Sequence, residues 1–323
     1  MPEISVIIPA FRPRGFAALL ASMAENATAD AEWIVVDDGS GPAFDAAYAE
    51  LAATPARVIR LAQNRRQGAA RNAGLAQARG QWVKFLDADD RLDQGHLSAL
   101  LAAATAAPAG AIPFAPTRHV FPGGATSVND SWRGLPATPE GQLERLLHRP
   151  FLHHCGALFP RHLLAELGGY DESLVTDEDG DLLLRVLLSG AHFFAVPAVH
   201  YHYIHHQGGG RVSSDTGPAK LAARLRVCEK FEAAFAKPGR VMPESVRHGL
   251  ALRLDKIALA WWDEDRAAAR GALDHARALS PNYRPDGRLP LRALRALGGP
   301  GAVIGAARLY RGLRGRPAGG TQG

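Results

Sequence analysis

Residues 81–90 read QWVKFLDADD, and this stretch decides how the N-terminal part of the chain is organised. The mostly apolar run 81–86 is typical of a buried strand, and acidic residues follow it. Residues two positions apart in an extended chain point the same way, so Asp87 and Asp89 are expected to present their carboxylates together. Neighbouring carboxylates repel each other unless a cation lies between them, and Mg²⁺ or Mn²⁺ accepts such oxygen ligands. A solvated turn that caps the next helix is the alternative interpretation.

Strands and helices alternate before this stretch. Apolar, β-branched runs at 4–9, 32–36 and 57–61 predict strands, and helical patterns at 16–23, 45–53 and 67–79 lie between them. This alternation predicts an α/β fold with a mostly parallel, Rossmann-like central sheet and helices on both faces. Ligands of such sheets bind beyond the carboxyl ends of the strands, which here are residues 9–11, 37–40 and 87–90.

The remainder of the chain, after residue 110, divides into segments that differ in predicted secondary structure. Residues 111–214 mix short strands, at 193–196 and 199–204, with two helices, at 160–167 and 179–189, and the chain is helical after Pro218. We expect a catalytic α/β domain over 1–215, a helical C-terminal extension over 216–283 and a basic, Arg/Gly-rich tail over 284–323. The uncharged segment 97–117 contains too much Ala and Pro to span a membrane, and it is expected to form a helix, a turn and an extended piece.

The positive charge of the chain is concentrated in the tail. The 323 residues carry a net charge of +5, and the tail has eight Arg against one acid, Asp286. Anionic lipid at a membrane surface is therefore the expected partner of the tail, a solvated tail is the alternative, and no nucleic-acid motif is present. Two cysteines exclude a disulfide scaffold and favour a cytoplasmic location.

Six segments, in order, resemble the family-2 glycosyltransferases of the GT-A fold. They are SVIIPAF, IVVDDGS, the NRRQGAARN run 64–72, WVKFLDADD, GGYDESL and EDGDLLLR. Each motif is weak by itself, but six in the expected order over residues 3–206 make a specific pattern. The resemblance implies an inverting transfer of a sugar from a nucleotide-diphosphate sugar, with Mn²⁺ or Mg²⁺ as cofactor.

The resemblance also implies roles for individual residues. Asp38 corresponds to the carboxylate that accepts from uracil N3–H, Asp87 to the ribose contact and Asp89 to the metal–diphosphate contact. The nucleotide-sugar contacts that it implies are Pro9, Ala10, Phe11, Asp38, Gly68, Arg71 and Asp87. Asp38 is also interpretable as a turn residue, Arg71 as a surface arginine and Gly68 as a helix-packing glycine.

The proposed general base lies in the acidic segment 177–181. Asp179 corresponds to the family's base and Glu178 is the second choice, because an inverting transfer needs one carboxylate to take the acceptor proton. Acids that favour a helix N-terminus are the alternative interpretation. Gly180 stands where the family often has an aromatic residue, which leaves the size of the acceptor site open.

Residues 200–206 read HYHYIHH, and alternation predicts that His200, His202 and His206 share a face. The family often has a Tyr-Arg-x-His signature here, whose histidine approaches the diphosphate or metal. His205 is the best match and His206 is close behind, while Tyr203 stands in place of the arginine. A zinc site on this strand is the other interpretation.

The sequence therefore predicts a glycosyltransferase that uses a UDP-sugar. Its acceptor is expected to be a saccharide or lipid-linked saccharide of bacterial polysaccharide, lipopolysaccharide or glycolipid, reached at the inner face of the cytoplasmic membrane. A nucleotidyltransferase is a poorer fit, because the stretch PAFRPRG after the first strand lacks a glycine-rich phosphate loop. A non-catalytic nucleotide-sugar-binding protein is the third alternative.

Overall fold

The computed structural model describes residues 1–148, 150–206, 217–236 and 239–283. It is an α/β fold, as predicted, whose central sheet has five strands in the order β3-β2-β1-β4-β9. The strands of this sheet are β1 (Ile4–Ala10), β2 (Ala31–Asp37), β3 (Ala56–Arg60), β4 (Trp82–Phe85) and β9 (Leu158–Pro160). The first four are parallel and β9 is antiparallel to β4.

Two smaller sheets lie beyond the central one. A parallel pair joins β6 (Ala111–Phe114) to β10 (His192–Ala195). The other has the order β5-β11-β7-β8, with strands β5 (Arg91–Leu92), β7 (Thr117–Val120), β8 (Thr126–Val128) and β11 (Tyr201–Ile204). The four-stranded sheet contains most of the histidine-rich segment in β11 and places it next to the acidic residues that follow β4.

Helices cover the sheets and form the C-terminal region. They are α1 (Ala17–Glu25), α2 (Asp45–Ala49), α3 (Arg66–Ala76), α4 (His96–Ala106), α5 (Pro139–His148), α6 (Arg161–Glu166), α7 (Glu178–Leu188), α8 (Pro218–Phe235), α9 (Glu244–Trp261) and α10 (Arg266–Leu279). None of the helices in the described part of the chain combines the length and apolarity that crossing a bilayer requires. Segment 97–117 forms α4, a turn and extended strands, as predicted.

The predicted strands match the observed ones to within two residues, and β1, β2 and β4 are mostly buried runs, whereas β3 is only partly buried. Ile4, Val6, Ile7 and Ile8 are fully buried in β1, which is typical of a parallel strand covered on both faces. Helix α3 approaches this sheet so closely that a Cβ on Gly74 would lie 2.4 Å from Cγ2 of Ile7. Gly74 therefore serves helix–sheet packing.

The prediction of two helices within 111–214 was wrong, because α5 is a third. Its ten residues carry only a short apolar stripe, Leu143, Leu146 and Leu147, all buried. That stripe packs on α9 and α7, so long-range contacts stabilise a helix whose local pattern is weak.

The predicted helical region after Pro218 is confirmed. In α9 the stripe from Val246 through Leu250 and Leu254 to Trp261 is buried, and the helix packs against α5, α8 and α10. Helix α8 also contacts α7, the helix that contains the proposed base. The basic tail 284–323 and its predicted membrane contact lie outside the described residues.

Candidate active site

The carboxyl ends of β1, β2 and β4 meet at one edge of the central sheet. The amide of Asp38 donates to the Ala10 carbonyl at 2.8 Å, and the amide of Leu86 donates to the Ile7 carbonyl at 3.1 Å. The amide of Arg12 donates to Oγ of Ser40 at 2.8 Å. Hydrogen bonds thus join the three strand ends that the sequence singled out.

Asp38 is held by the loop that follows β3. Its Oδ1 accepts from the Arg65 amide at 2.7 Å and its Oδ2 accepts from Nδ2 of Asn64 at 2.9 Å. Burial raises the pKa of this carboxyl above its usual value. The local turn contact belongs instead to Asp37, whose Oδ1 accepts from the Ser40 amide at 2.9 Å. The turn interpretation therefore applies to Asp37, and Asp38 is fixed by long-range contacts.

Pro9, Ala10 and Phe11, which the resemblance assigns to the nucleotide-sugar, differ in exposure and in contacts. Pro9 is half-buried, Ala10 is buried, and the Ala10 carbonyl accepts from Asp38 and, at 3.3 Å, from the Tyr48 hydroxyl. Phe11 is 45% exposed, and the Arg12 guanidinium lies 4.9 Å from the centroid of its ring. Phe11 is thus the member of this group with an exposed aromatic ring.

Arg71 lies at the centre of a buried charge network. Its Nη2 donates to Oδ1 of Asp87 and its Nη1 donates to Oε1 of Glu178, both at 2.8 Å. The arginine is 1% exposed, which excludes the surface-arginine interpretation. Burial alone would raise the pKa of Asp87, but the effects of Arg71, followed by those of His154 and His153, together outweigh burial and lower that pKa to about 2.

Asp87 and Asp89 do not share an environment, contrary to the expectation from strand geometry. Strand β4 ends at Phe85, and the amide of Asp90 donates back to the Asp87 carbonyl at 3.1 Å, so the chain turns between the two acids. Asp87 faces Arg71, whereas the Asp89 side chain is 54% exposed and its Oδ2 lies 2.9 Å from Nε2 of His206. The alternation rule fails here because it applies only to extended backbone.

The histidine beside Asp89 is His206, and His205 lies elsewhere. Nε2 of His205 is 3.1 Å from Nδ1 of His119, and its ring stacks on Phe121 with a centroid distance of 4.4 Å. The structure thus brings His206 to Asp89. Strand β11 ends at Ile204, so the order of the residues after it could not identify which imidazole turns toward the acids.

Asp90 connects the acidic turn to β11. Its carboxylate accepts from the Tyr201 hydroxyl and, at 2.8 Å, from the Ile204 amide. Burial, followed by the charges of Asp87 and Asp89, raises the pKa of Asp90. Asp90 is buried, so it supports the turn and does not face solvent.

The first residues of α7 separate the two candidates for the general base. The Glu178 side chain is 3% exposed, and besides Arg71 it accepts from Nε2 of Gln67 at 2.6 Å. The Asp179 side chain is 35% exposed, and its Oδ2 lies 3.5 Å from Nδ1 of His154. Burial opposes ionisation of Asp179, but its contact with His154 outweighs that effect and holds the pKa of Asp179 below its ordinary value. Asp179 is the accessible carboxylate of the two.

Glycines allow close packing around this helix. A Cβ on Gly68 would lie 3.5 Å from Cγ of Glu178, an ordinary contact distance, so Gly68 faces α7 rather than an open cleft. A Cβ on Gly180 would lie 2.3 Å from Oδ1 of Asp177. Gly180 therefore leaves room for the Asp177 carboxylate that pairs with Arg253.

The C-terminal helices α8 and α9 form ion pairs with acids around α7, and the sequence did not predict these contacts. Lys230 in α8 pairs with Asp171 at 2.6 Å and with Asp181 at 2.5 Å. Arg253 in α9 pairs with Asp177, the residue before α7. The sequence shows basic residues in α8 and α9 and acids around α7, but it does not show which of them form pairs.

The zinc interpretation of the histidine-rich strand is not supported. Nδ1 of His200 and Nε2 of His202 lie 3.2 and 2.6 Å from the carboxylate of Asp93. Among the described residues, the His, Cys and acidic ligand atoms that cluster within 4.8 Å of one another belong to His153, His154 and Cys155. This cluster lies beside Asp179, because Nδ1 of His154 is 3.5 Å from Oδ2 of that acid.

The fold and these strand-end acids define a protein of the GT-A type. The family model described as glycosyl transferase family 2 matches residues 5–168, about half of the chain, and the chain belongs to this family.

The chain is similar to proteins of known name over most of its length. It is 28% identical over 257 residues to the succinoglycan biosynthesis protein ExoO of Rhizobium meliloti (strain 1021), covering 74% of this chain and 70% of that one. The structure of S. aureus TarS 1–349 in complex with UDP-GlcNAc has a TM-score of 0.67 at 18% identity, covering 96% and 92% of the chains. A mannosyltransferase from Pyrobaculum calidifontis with GDP-Man and Mn²⁺ has a TM-score of 0.53 at 20% identity, covering 95% and 86%. Both structures share the fold.

Proposed function

We propose that this protein is an inverting, metal-dependent glycosyltransferase that moves a sugar from a UDP-sugar to a saccharide hydroxyl, with Asp179 as general base. One observation carries the proposal. Arg71 joins Asp87, at the end of the acidic strand, to Glu178, which directly precedes the accessible Asp179. The donor side and the acceptor side of a transfer reaction are thereby held in fixed relation by a buried ion-pair network.

The reaction that this arrangement supports is a single displacement. The acceptor oxygen attacks the anomeric carbon while its proton passes to a carboxylate oxygen of Asp179. The bond from that carbon to the diphosphate oxygen breaks, and the nucleoside diphosphate leaves with the electron pair. The low pKa of Asp179 keeps it ionised and able to accept the proton. Glu178 is buried against Arg71 and is therefore unsuited to act as base or nucleophile.

The donor side has groups for each part of a nucleotide. We propose that Phe11 stacks on the base, that Asp38 accepts from uracil N3–H and that Oδ2 of Asp87 accepts from the ribose. Arg71 already binds Oδ1 of Asp87 and fixes the orientation of its carboxylate. The burial of Asp38 and its two long-range hydrogen bonds support a preformed recognition site. The similar TarS structure is a complex with UDP-GlcNAc, which supports a uridine nucleotide.

Asp89 and His206 fit a divalent cation. Their ligand atoms lie 2.9 Å apart and both side chains are about half exposed. A carboxylate with an imidazole suits Mn²⁺ or Mg²⁺, and the Mn²⁺ in the mannosyltransferase complex supports the same class of cofactor. Such a cation supplies positive charge beside the leaving diphosphate. We therefore assign Asp89 and His206 to it, with His206 in place of His205.

A cluster of rings precedes His206 in the chain, and we propose that it borders the acceptor. It contains His119, Phe121, Tyr203 and His205, and the Tyr203 and His205 centroids are 5.0 Å apart. Phe121 is 39% exposed, and His206, which follows the cluster in sequence, contacts Asp89. Sugar rings pack their C–H faces on aromatic rings, while ring nitrogens and hydroxyls bind sugar hydroxyls. The cluster therefore supports a saccharide acceptor.

The likeness to the succinoglycan biosynthesis protein supports polysaccharide synthesis. We propose a cytoplasmic location, which the two cysteines favour. We propose that residues 1–215 form the catalytic domain and residues 216–283 a helical extension. We also propose that the tail 284–323 contacts anionic lipid near a lipid-linked acceptor. Flotation with liposomes, with and without the tail, tests that contact.

The decisive experiment offers the full chain a panel of UDP-, GDP- and dTDP-sugars with saccharide acceptors in Mn²⁺, Mg²⁺ or EDTA. We expect acceptor-stimulated release of UDP from one UDP-sugar, no release in EDTA, and a new linkage of opposite anomeric configuration. Release of pyrophosphate would instead identify a nucleotidyltransferase. Binding of UDP without turnover of any donor would identify a non-catalytic binding protein.

A further inference from the structure

A buried imidazole lies between a thiol and the proposed base. His154 is 2% exposed, and it begins a short 3₁₀ turn, His154–Gly156. Its Nε2 lies 3.3 Å from Sγ of Cys155, and its Nδ1 lies 3.5 Å from Oδ2 of Asp179. Packing keeps the ring in this orientation, with the Phe85 and Tyr170 ring centroids 6.2 and 6.0 Å from its own.

The chemistry of the two neighbours fixes the tautomer of His154. Cys155 is fully buried, and burial raises the pKa of its thiol well above the usual value, so the sulfur keeps its proton. The S–H group then donates to Nε2, which leaves Nδ1 as the ring nitrogen that carries a proton. Nδ1 is buried and makes no hydrogen bond of normal geometry in the described structure, and Asp179 is the carboxylate within 4 Å of it.

We propose that His154 is a positioning residue for the general base: its Nδ1–H donates to Asp179 and orients that carboxylate toward the acceptor, and Cys155 fixes the required tautomer. The proposal rests on the proposed function, because it takes Asp179 as the base. Nothing in the sequence motifs of the family marks His154 or Cys155.

Several charged and polar groups face Asp179, and their effects on it differ in sign. His154 comes from the 3₁₀ turn, with His153 beside it, and Arg71 from α3; all three favour the ionised carboxylate. The carboxylates of Asp177 and Glu178 and the buried Tyr170 hydroxyl also lie in its electrostatic environment. Loss of the His154 donor therefore raises the pKa of Asp179 while the other groups stay in place.

The competing interpretation is that His153, His154 and Cys155 hold a soft metal. Thiolate and imidazole are ligands that Zn²⁺ prefers. In that case Cys155 is a deprotonated ligand and cannot donate to His154. Nδ1 of His153 already accepts from the Cys155 amide at 3.3 Å, which holds one of its two nitrogens within the turn.

The test compares His154→Leu, which removes the donor, with His154→Asn, whose side-chain N–H replaces that of Nδ1. In His154→Leu we expect kcat to fall about 10- to 100-fold, as for loss of a charge-assisted hydrogen bond, with donor KM unchanged. The acid limb of its kcat–pH profile moves to higher pH, and His154→Asn recovers most of both effects. His96→Leu removes another fully buried imidazole and is expected to leave the pH profile unshifted.

The cysteine gives a second test that does not depend on the folding of the leucine variant. Cys155→Ser keeps a donor and leaves the acid limb in place, whereas Cys155→Ala moves it in the same direction as His154→Leu. An unmoved acid limb in His154→Leu or in Cys155→Ala overturns the proposal. Stoichiometric Zn²⁺ in the wild-type protein, lost in Cys155→Ser, also overturns it. The proposed function is tested separately: it stands if the wild-type protein turns over the donor and the Asp179→Asn variant does not.

Discussion

Two acids two residues apart, Asp87 and Asp89, lie in opposite kinds of environment. Asp87 belongs to a buried network in which Arg71 is 1% and Glu178 3% exposed, whereas Asp89 and His206 are 54% and 47% exposed. The first group is balanced by the protein's own charges and needs no ligand to be stable. The second is open to solvent. One turn of backbone thus separates an acid that the protein's own charges hold from an acid that is accessible to a cation, as we propose for Asp89.

The largest expected effect comes from removing the cation of the buried network. Arg71→Met removes the cation that Asp87 and the buried Glu178 share and leaves Gln67 as the remaining partner of Glu178, and we expect a loss of about 3–5 kcal/mol in the free energy of unfolding. Donor turnover is expected to fall below detection, because both halves of the site lose their orientation. Urea unfolding and UDP release measure the two effects.

Arg79→Met is the matched control for this prediction. Arg79 pairs with Glu32 but its side chain is 64% exposed, and we expect a change of no more than about 0.5 kcal/mol. If Arg71→Met unfolds at the same urea concentration as the wild type, the buried network does not support the fold and the contrast between the two acids disappears.

Variants of the exposed pair should show the reverse pattern. Asp89→Asn and His206→Asn are expected to change the free energy of unfolding by less than about 0.5 kcal/mol, because both side chains are half in water. The Mn²⁺ concentration for half-maximal turnover is expected to rise at least roughly tenfold, because each variant weakens one metal contact.

His202→Asn is the control, because that imidazole pairs with Asp93 and not with Asp89. Its Mn²⁺ dependence should equal that of the wild type. A higher Mn²⁺ requirement in His205→Asn than in the wild type, with His206→Asn unchanged, would return the metal contact to His205.

The smallest expected effect is at the ring cluster. Phe121→Ala removes one aromatic face that is stacked on His205, and we expect acceptor KM to rise roughly two- to tenfold, with donor KM and stability nearly unchanged. Initial rates at varied acceptor concentration measure it. Phe11→Ala is the counterpart on the donor side and should change donor KM instead; an unchanged acceptor KM in Phe121→Ala would remove the saccharide role from the cluster.

The fold could be predicted because buried parallel strands are continuous apolar runs, and β1, β2 and the largely apolar β4 appear in the sequence as such runs. The position of the candidate site also followed, because ligands of such sheets bind at the carboxyl ends of the strands, where the acids of the site lie. The choice of His205 over His206 came from the family signature and stays a prediction, while the structure has His206 beside Asp89. What failed was the inference that assumed regular backbone where it ends, namely the shared face of Asp87 and Asp89. Strand periodicity carries no information once the chain turns.

The contacts that organise the site could not be predicted for a different reason. Arg71 and Glu178 are 107 residues apart, and α8 and α9 supply Lys230 and Arg253 from still further along the chain. A single sequence shows that such charges exist but not which of them meet. The surface-arginine interpretation of Arg71 remained open for that reason, and only burial excludes it.

The most direct test of the account is the transfer rate of Asp179→Asn at saturating donor, acceptor and Mn²⁺, measured beside its affinity for UDP. We predict a fall in kcat of about 10²–10⁴-fold with the UDP Kd unchanged, because the variant loses the proton acceptor and keeps the donor site. Asp274→Asn, at an exposed acid of α10 whose side chain is 72% exposed, should transfer at the wild-type rate. Transfer by Asp179→Asn at a rate near that of the wild type would contradict the assignment of the general base and, with it, the proposed mechanism.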